Sequence, residues 1–92
     1  MTVARHVVVH GRVQGVFYRG WSVEAAQDLG LAGWVRNRRD GTVEMLVAGP
    51  EAAVAAMIER CREGPPAARV DRIDVTDSVE EVPVGFEGRA TT

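Results

Sequence analysis

An Asp-Gly pair at positions 40 and 41 lies near the middle of the chain, between two short runs of strand-forming residues. The run before it is GWVRN at 33–37, and the run after it is TVEMLVA at 42–48, in which alternate side chains would point to opposite faces of a sheet. An Asp-Gly pair between two such runs is typical of a β-hairpin, because both residues tolerate the left-handed backbone of a tight turn. We therefore predict two adjacent antiparallel strands joined by this turn.

One strand and one helix are predicted on the N-terminal side of this hairpin. The run RHVVVH at 5–10 is rich in β-branched residues and predicts a strand. The stretch SVEAAQDLG at 22–30 predicts a short helix, with Ser22 as its N-cap and Gly30 as its C-terminal stop.

The C-terminal side repeats the pattern in the order helix, then strand. The clearest helix of the sequence is PEAAVAAMIERCRE at 50–63, which ends before Gly64 and carries an apolar stripe. The alternating run VDRIDVT at 70–76 predicts another strand, and GFEGR at 85–89 is compatible with a short fifth one. The order β-α-β-β-α-β favours an α+β sandwich of the ferredoxin-like type, in which two helices cover one face of an antiparallel sheet. At 92 residues, we expect a single domain over 1–92.

The composition excludes several kinds of chemistry. The chain has no lysine, which rules out a lysine-bearing P-loop and Schiff-base catalysis. A net charge of −2 disfavours nucleic acid or an anionic membrane as the partner. The single cysteine, Cys61, and the lack of a signal-peptide pattern indicate a cytoplasmic protein. His6 and His10 have no clustered cysteine or carboxylate in the sequence, so we expect no metal and no cofactor.

The stretch GRVQGVFYR at 11–19 has the composition of an anion site. Gly11 and Gly15 can adopt positive φ without steric cost, and a loop with such residues can gather several backbone N–H groups around an anion. The start of the following helix would add its positive end, and the planar guanidinium of Arg19 matches a phosphate or carboxylate. An ordinary turn with an exposed arginine remains the alternative for such a loop.

Asn37 strengthens the anion-site hypothesis. A right-handed crossover leaves the first and second strands parallel, so that their C-terminal ends lie at one edge of the sheet. The loop that carries Arg19 follows the first strand, and Asn37 is at the end of the second. The two side chains can therefore converge although they are far apart in sequence.

Two motifs resemble the signatures of the acylphosphatase family. GRVQGVFYR at 11–19 is similar to the first signature, and GWVRNRRDGTV at 33–43, followed by Gly49, is similar to the second. The resemblance covers roughly residues 5–76, whereas the C-terminal FEGRATT departs from the fuller final strand of family members. The resemblance implies a hydrolase that acts on small acyl phosphates and cleaves the carboxyl-phosphate bond without a metal or a covalent phosphoenzyme. We also expect the protein to be a monomer.

The resemblance also implies the site residues. Arg19 would hold the phosphate and Asn37 would position the attacking water, while the phosphate would lie in a cradle of backbone amides. The cradle residues are Gln14, Gly15, Val16, Phe17 and Tyr18. A non-catalytic anion-binding or regulatory module of the same fold is the alternative function. An RNA-binding domain is a third, disfavoured by the lack of aromatic residues on the predicted central strands.

Overall fold

The structure, a computed structural model, describes every residue from Met1 to Thr92. Its elements are β1 (Thr2–Arg12), α1 (Tyr18–Asp28), β2 (Ala32–Asn37), β3 (Val43–Pro50), α2 (Glu51–Glu63), β4 (Arg69–Asp77) and β5 (Phe86–Gly88). The five strands form one sheet in the order β4-β1-β3-β2-β5. The ferredoxin-like α+β fold predicted from the sequence is confirmed, and the fifth strand forms. Neither helix is both long enough and apolar enough to span a membrane.

The sheet is mixed rather than fully antiparallel. The pairs β1–β4, β1–β3 and β2–β3 are antiparallel, but β5 pairs with β2 in parallel. The chain crosses from the β4 edge to the opposite edge over residues 78–85 and reverses its direction on the way. This reversal aligns β5 with β2.

The position of β3 between β1 and β2 brings the two sequence motifs to one edge. Because both β1 and β2 are antiparallel to β3, they run in the same direction. The loop after Arg12 and the end of β2 at Asn37 therefore lie at the same end of the sheet. This arrangement allows the side chains of Arg19 and Asn37 to converge, as a right-handed crossover predicts.

Helix α1 begins at Tyr18, four residues before the predicted N-cap at Ser22. The hydroxyl of Ser22 donates instead to the Tyr18 carbonyl at 2.8 Å, within the helix. Tertiary packing sets the start, because the Tyr18 ring is buried and its hydroxyl donates to the Cys61 carbonyl of α2 at 2.6 Å. Trp21 packs edge-on against that ring, with 5.3 Å between centroids. The earlier start places the N-terminus of α1 directly at the glycine loop.

The main core lies between the sheet and the two helices. Its strand residues include Val7, Val9 and Met45, and α2 contributes Val54, Met57 and Cys61, which is the apolar stripe predicted for this helix. Burial of these side chains orients both helices and so fixes the position of the loop before α1.

The opposite face of the sheet is covered in part, around Trp34 and Leu46. Trp34 and Leu46 are buried there, at 1% and 0% exposure. The guanidinium groups of Arg36 and Arg89 lie 4.6 and 5.0 Å from the indole centroid of Trp34, and Glu80 accepts the indole N–H at 3.2 Å. These contacts shield Trp34 from water on the face of the sheet that the helices leave uncovered.

Candidate active site

The loop between β1 and α1 alternates the sign of its backbone φ angles. Gly15 has φ 74° and Phe17 has φ 67°, whereas Gln14, Val16 and Tyr18 have negative φ. Phe17 is the only residue other than glycine with positive φ, a conformation that costs about 1 kcal/mol for a residue with a Cβ. Alternation of this kind turns successive N–H groups toward one concave side and creates an anion-binding nest.

The backbone N–H groups of this loop lack partners within the chain. From Gln14 to Gly20, no backbone N–H donates to a carbonyl or to a side chain. No side chain caps the N-terminus of α1 either, so its positive end faces the same loop. The segment therefore offers a run of oriented donors of the kind that binds oxyanions.

Arg19 lies in the first turn of α1, whereas the sequence placed it in the loop before a helix that starts at Ser22. Its side chain is exposed, and its Nη1 donates to the backbone carbonyl of Arg89 at 3.2 Å. It pairs with no carboxylate, unlike Arg36 and Arg72. The Arg89 carbonyl holds the guanidinium beside the loop and leaves its positive charge uncompensated.

Asn37 is the last residue of β2 and is half-buried. Its backbone carbonyl accepts a hydrogen bond from Thr92 at 3.1 Å, so the C-terminal segment runs beside it. Asn37 and Arg19 line the same hollow, which has a volume of about 570 Å³. The lining residues are Val13, Gly15, Phe17, Tyr18, Arg19, Gly20, Val23, Asn37, Gly88, Arg89 and Ala90.

The side chain of Gln14 ties the loop to the hairpin that follows Asn37. Its Nε2 donates to the carbonyl of Arg38 at 2.7 Å and to the carbonyl of Thr42 at 2.9 Å. One amide group thus bridges the two sequence motifs. The bridge restricts how far the loop can move relative to Asn37.

Tyr18 and Cys61 connect the start of α1 to α2, through the hydrogen bond from the Tyr18 hydroxyl to the Cys61 carbonyl. Burial raises the pKa of Tyr18 well above its usual value, and burial raises the pKa of Cys61 to about 12. Cys61 is a free, buried thiol. Both groups are neutral at physiological pH and are not suited to be the catalytic acid or base. Their role is to anchor the start of α1.

The two histidines lie on the other face of the sheet and do not line the hollow. His6 contacts Glu44 at 2.6 Å, and His10 contacts Asp74 at 2.9 Å. Glu44 also accepts from Arg36 at 2.7 Å. Burial favours its neutral form, but the hydrogen bonds from Arg36 and His6 outweigh that effect and lower the pKa of Glu44. No three histidine, cysteine or carboxylate side chains gather into a cluster that could bind a metal.

Comparison with known proteins identifies the family. The acylphosphatase family model matches residues 5–87. The chain belongs to the acylphosphatase family. It is accordingly a hydrolase that acts on acyl phosphates, as the resemblance of its two motifs predicted.

Relatives of high similarity share this assignment. The chain is 62% identical to an acylphosphatase of Rhodospirillum rubrum, over 87% of this chain and 88% of the relative. It is 55% identical to an acylphosphatase of Rhizorhabdus wittichii, over 97% and 90% of the two chains. Among solved structures, an acylphosphatase from Coxiella burnetii superposes with a TM-score of 0.91 at 36% identity, covering 96% of this chain and 93% of that one.

The residues predicted for the acylphosphatase site fall into two groups in the structure. Gly15, Phe17, Tyr18, Arg19 and Asn37 line the hollow, whereas Gln14 and Val16 belong to the loop without lining it. Gly11 has the predicted positive φ, of 131°, but it lies within β1.

Sequence reasoning missed one wall of the hollow. That wall is the C-terminal segment with Gly88, Arg89 and Ala90. No local pattern in FEGRATT signals it, because these residues reach the site only through the pairing of β5 with β2.

Proposed function

We propose that this chain cleaves the carboxyl-phosphate bond of small acyl phosphates with Arg19, Asn37 and the backbone amides of residues 14–18. One observation carries the proposal: Arg19 and Asn37 line the same hollow as a loop whose N–H groups have no partner in the chain. The loop and Arg19 would bind the phosphoryl oxygens, for which a planar guanidinium and several N–H donors are well suited. Asn37 would orient the attacking water.

The chemistry of the substrate explains why so few groups suffice. The water oxygen forms a bond to phosphorus while the bridging P–O bond breaks, which releases inorganic phosphate and a carboxylate. A carboxylate leaves without being protonated, so no general acid is required. The transition state is loose, and catalysis consists mainly of positioning and charge stabilisation.

The proton of the water needs an acceptor. Neither motif offers a side chain suited to be the base, and Tyr18 is a buried, neutral phenol. We assign this role to a phosphoryl oxygen of the substrate itself. The same logic restricts the substrates: alkyl phosphates leave as poor alkoxides, so hydrolysis of a sugar phosphate in the same assay should be barely measurable.

The test is the hydrolysis of benzoyl phosphate with EDTA present. Arg19→Ala should lower kcat/KM by about 100-fold or more, and Arg19→Lys should recover only part of that loss, because a point charge does not reproduce a planar fork. Asn37→Ala should lower kcat with little change in KM, because the amide contacts the water and not the bound phosphate.

Arg60→Lys is the matched control, since Arg60 is exposed on α2 and forms no ion pair. Its rate should equal that of the unchanged chain. Near-full activity of Arg19→Lys or of Asn37→Ala would overturn the proposed roles, and loss of activity in EDTA would overturn the metal-independent scheme.

The proposal extends to the state and setting of the protein. We expect a single-domain monomer that works in the cytoplasm, with neither nucleic acid nor membrane as a partner. One hydrophobic core that both helices and the sheet share, a net charge of −2 and a buried free cysteine support this. Light scattering after gel filtration tests the monomer directly.

A further inference from the structure

Phe17 exposes an aromatic ring at the mouth of the hollow. Phe17 is 68% exposed, whereas the adjacent aromatic residue, Tyr18, is 2% exposed. Phe17 immediately precedes the first turn of α1, which carries Arg19, and it lines the same hollow. An exposed phenylalanine in a strained left-handed conformation beside a site is an outlier that points to a function.

The ring has a defined place because Gly20 makes room for it. A Cβ on Gly20 would lie 2.3 Å from Cε1 of Phe17, so the ring rests against the glycine backbone. Val23 follows one turn later on the same side of α1 and also lines the hollow. Phe17, Gly20 and Val23 therefore form one apolar side of the hollow, which we call the α1 wall.

The C-terminal segment also lines the hollow and lies next to the α1 wall at Val23. Val23 approaches the position of a Cβ on Gly88 to 3.9 Å, and Ala90 lines the hollow beyond it. Arg19 and Asn37, the polar groups that suit a phosphoryl group, line the same hollow. The hollow thus offers polar groups for a phosphoryl group together with apolar side chains that such a group does not use.

We propose that Phe17 is a specificity-determining residue, whose ring contacts the apolar substituent of the acyl group in the acyl phosphate. The inference rests on the proposed function, because it assumes that the phosphoryl group lies in the loop. The acyl carbon is then one bridging oxygen away from phosphorus, so its substituent extends along the α1 wall. An aromatic or branched acyl group covers the ring, whereas a methyl group is too small to do so.

The test measures kcat/KM for benzoyl phosphate and for acetyl phosphate and takes the ratio of the first value to the second. Phe17→Asn removes the ring and keeps a residue that tolerates positive φ. Effects of the substitution on the loop act on both substrates and cancel in the ratio. We expect the ratio to fall by about tenfold, which corresponds to the loss of one aromatic contact.

Gly20→Ala displaces the ring without changing Phe17 and should lower the same ratio. Val79→Asn is the control, because Val79 is a fully exposed apolar residue outside the hollow, and it should leave the ratio unchanged. An unchanged ratio in Phe17→Asn, including an equal fall for both substrates, overturns the inference. A failure of the proposed function would give another result, because Arg19→Ala would then hydrolyse both substrates at the wild-type rate.

Discussion

Because Gln14 bridges the loop to the β2–β3 hairpin, we expect Gln14→Ala to lower both the stability and the activity of the protein. The substitution removes two hydrogen bonds, at 2.7 and 2.9 Å, each worth about 0.5–1.5 kcal/mol. Neither acceptor is left without a donor, since the Arg38 carbonyl still accepts from Gly41 and the Thr42 carbonyl from Arg38. We therefore expect a loss of roughly 1–3 kcal/mol in the free energy of unfolding, without an added penalty for an unpaired carbonyl.

This loss should appear as a fall in Tm of roughly 5–15 °C, because 1 kcal/mol corresponds to about 4–8 °C in a domain of this size. The effect on catalysis should exceed what unfolding explains. Without the bridge, the loop and Asn37 are no longer held at a fixed separation, and kcat should fall by about ten- to 100-fold at temperatures well below Tm. KM should change less, because the donors that bind phosphate remain.

Gln27→Ala is the matched control for Gln14→Ala. Gln27 is the other glutamine of the chain and lies exposed on α1, outside the hollow. Its substitution should leave both Tm and kcat unchanged. The reasoning is refuted if Gln14→Ala melts at a lower temperature but keeps the full kcat for benzoyl phosphate, since the bridge would then be structural only.

Two further predictions concern groups outside the loop. Glu44→Gln should cost about 1–2 kcal/mol in urea unfolding at pH 7, because it weakens the contacts with Arg36 and His6. Since these contacts lower the pKa of Glu44 in the folded state, the difference should shrink as the pH falls below about 4.3, and an equal difference at pH 7 and pH 3 would contradict the pairing. Cys61, buried and with its pKa raised to about 12, should resist iodoacetamide at pH 8 until the chain unfolds in denaturant. Mass spectrometry follows the label, and rapid modification of the native protein would show that the thiol is accessible.

The sequence predicted the elements that depend on neighbouring residues. Alternation and the Asp-Gly turn placed β2 and β3 within two residues of their observed bounds, and the apolar stripe of α2 was found from its helical spacing. Arg19 and Asn37 were selected from local motifs and from the crossover rule. The start of α1 was wrong, because a local capping signal at Ser22 carries less free energy than the burial of Tyr18 against α2.

By itself, the sequence determined the order of strands and helices, the glycine loop, and the choice of Arg19 and Asn37 as candidate site residues. Periodicity and turn preferences act over a few residues, so they are readable from the chain alone. Only the tertiary structure decided that Gln14 bridges to a hairpin 24 and 28 residues away, and that residues 88–90 form a wall of the site. Those contacts depend on the strand order and the register of the sheet, which bring together segments that no local pattern relates.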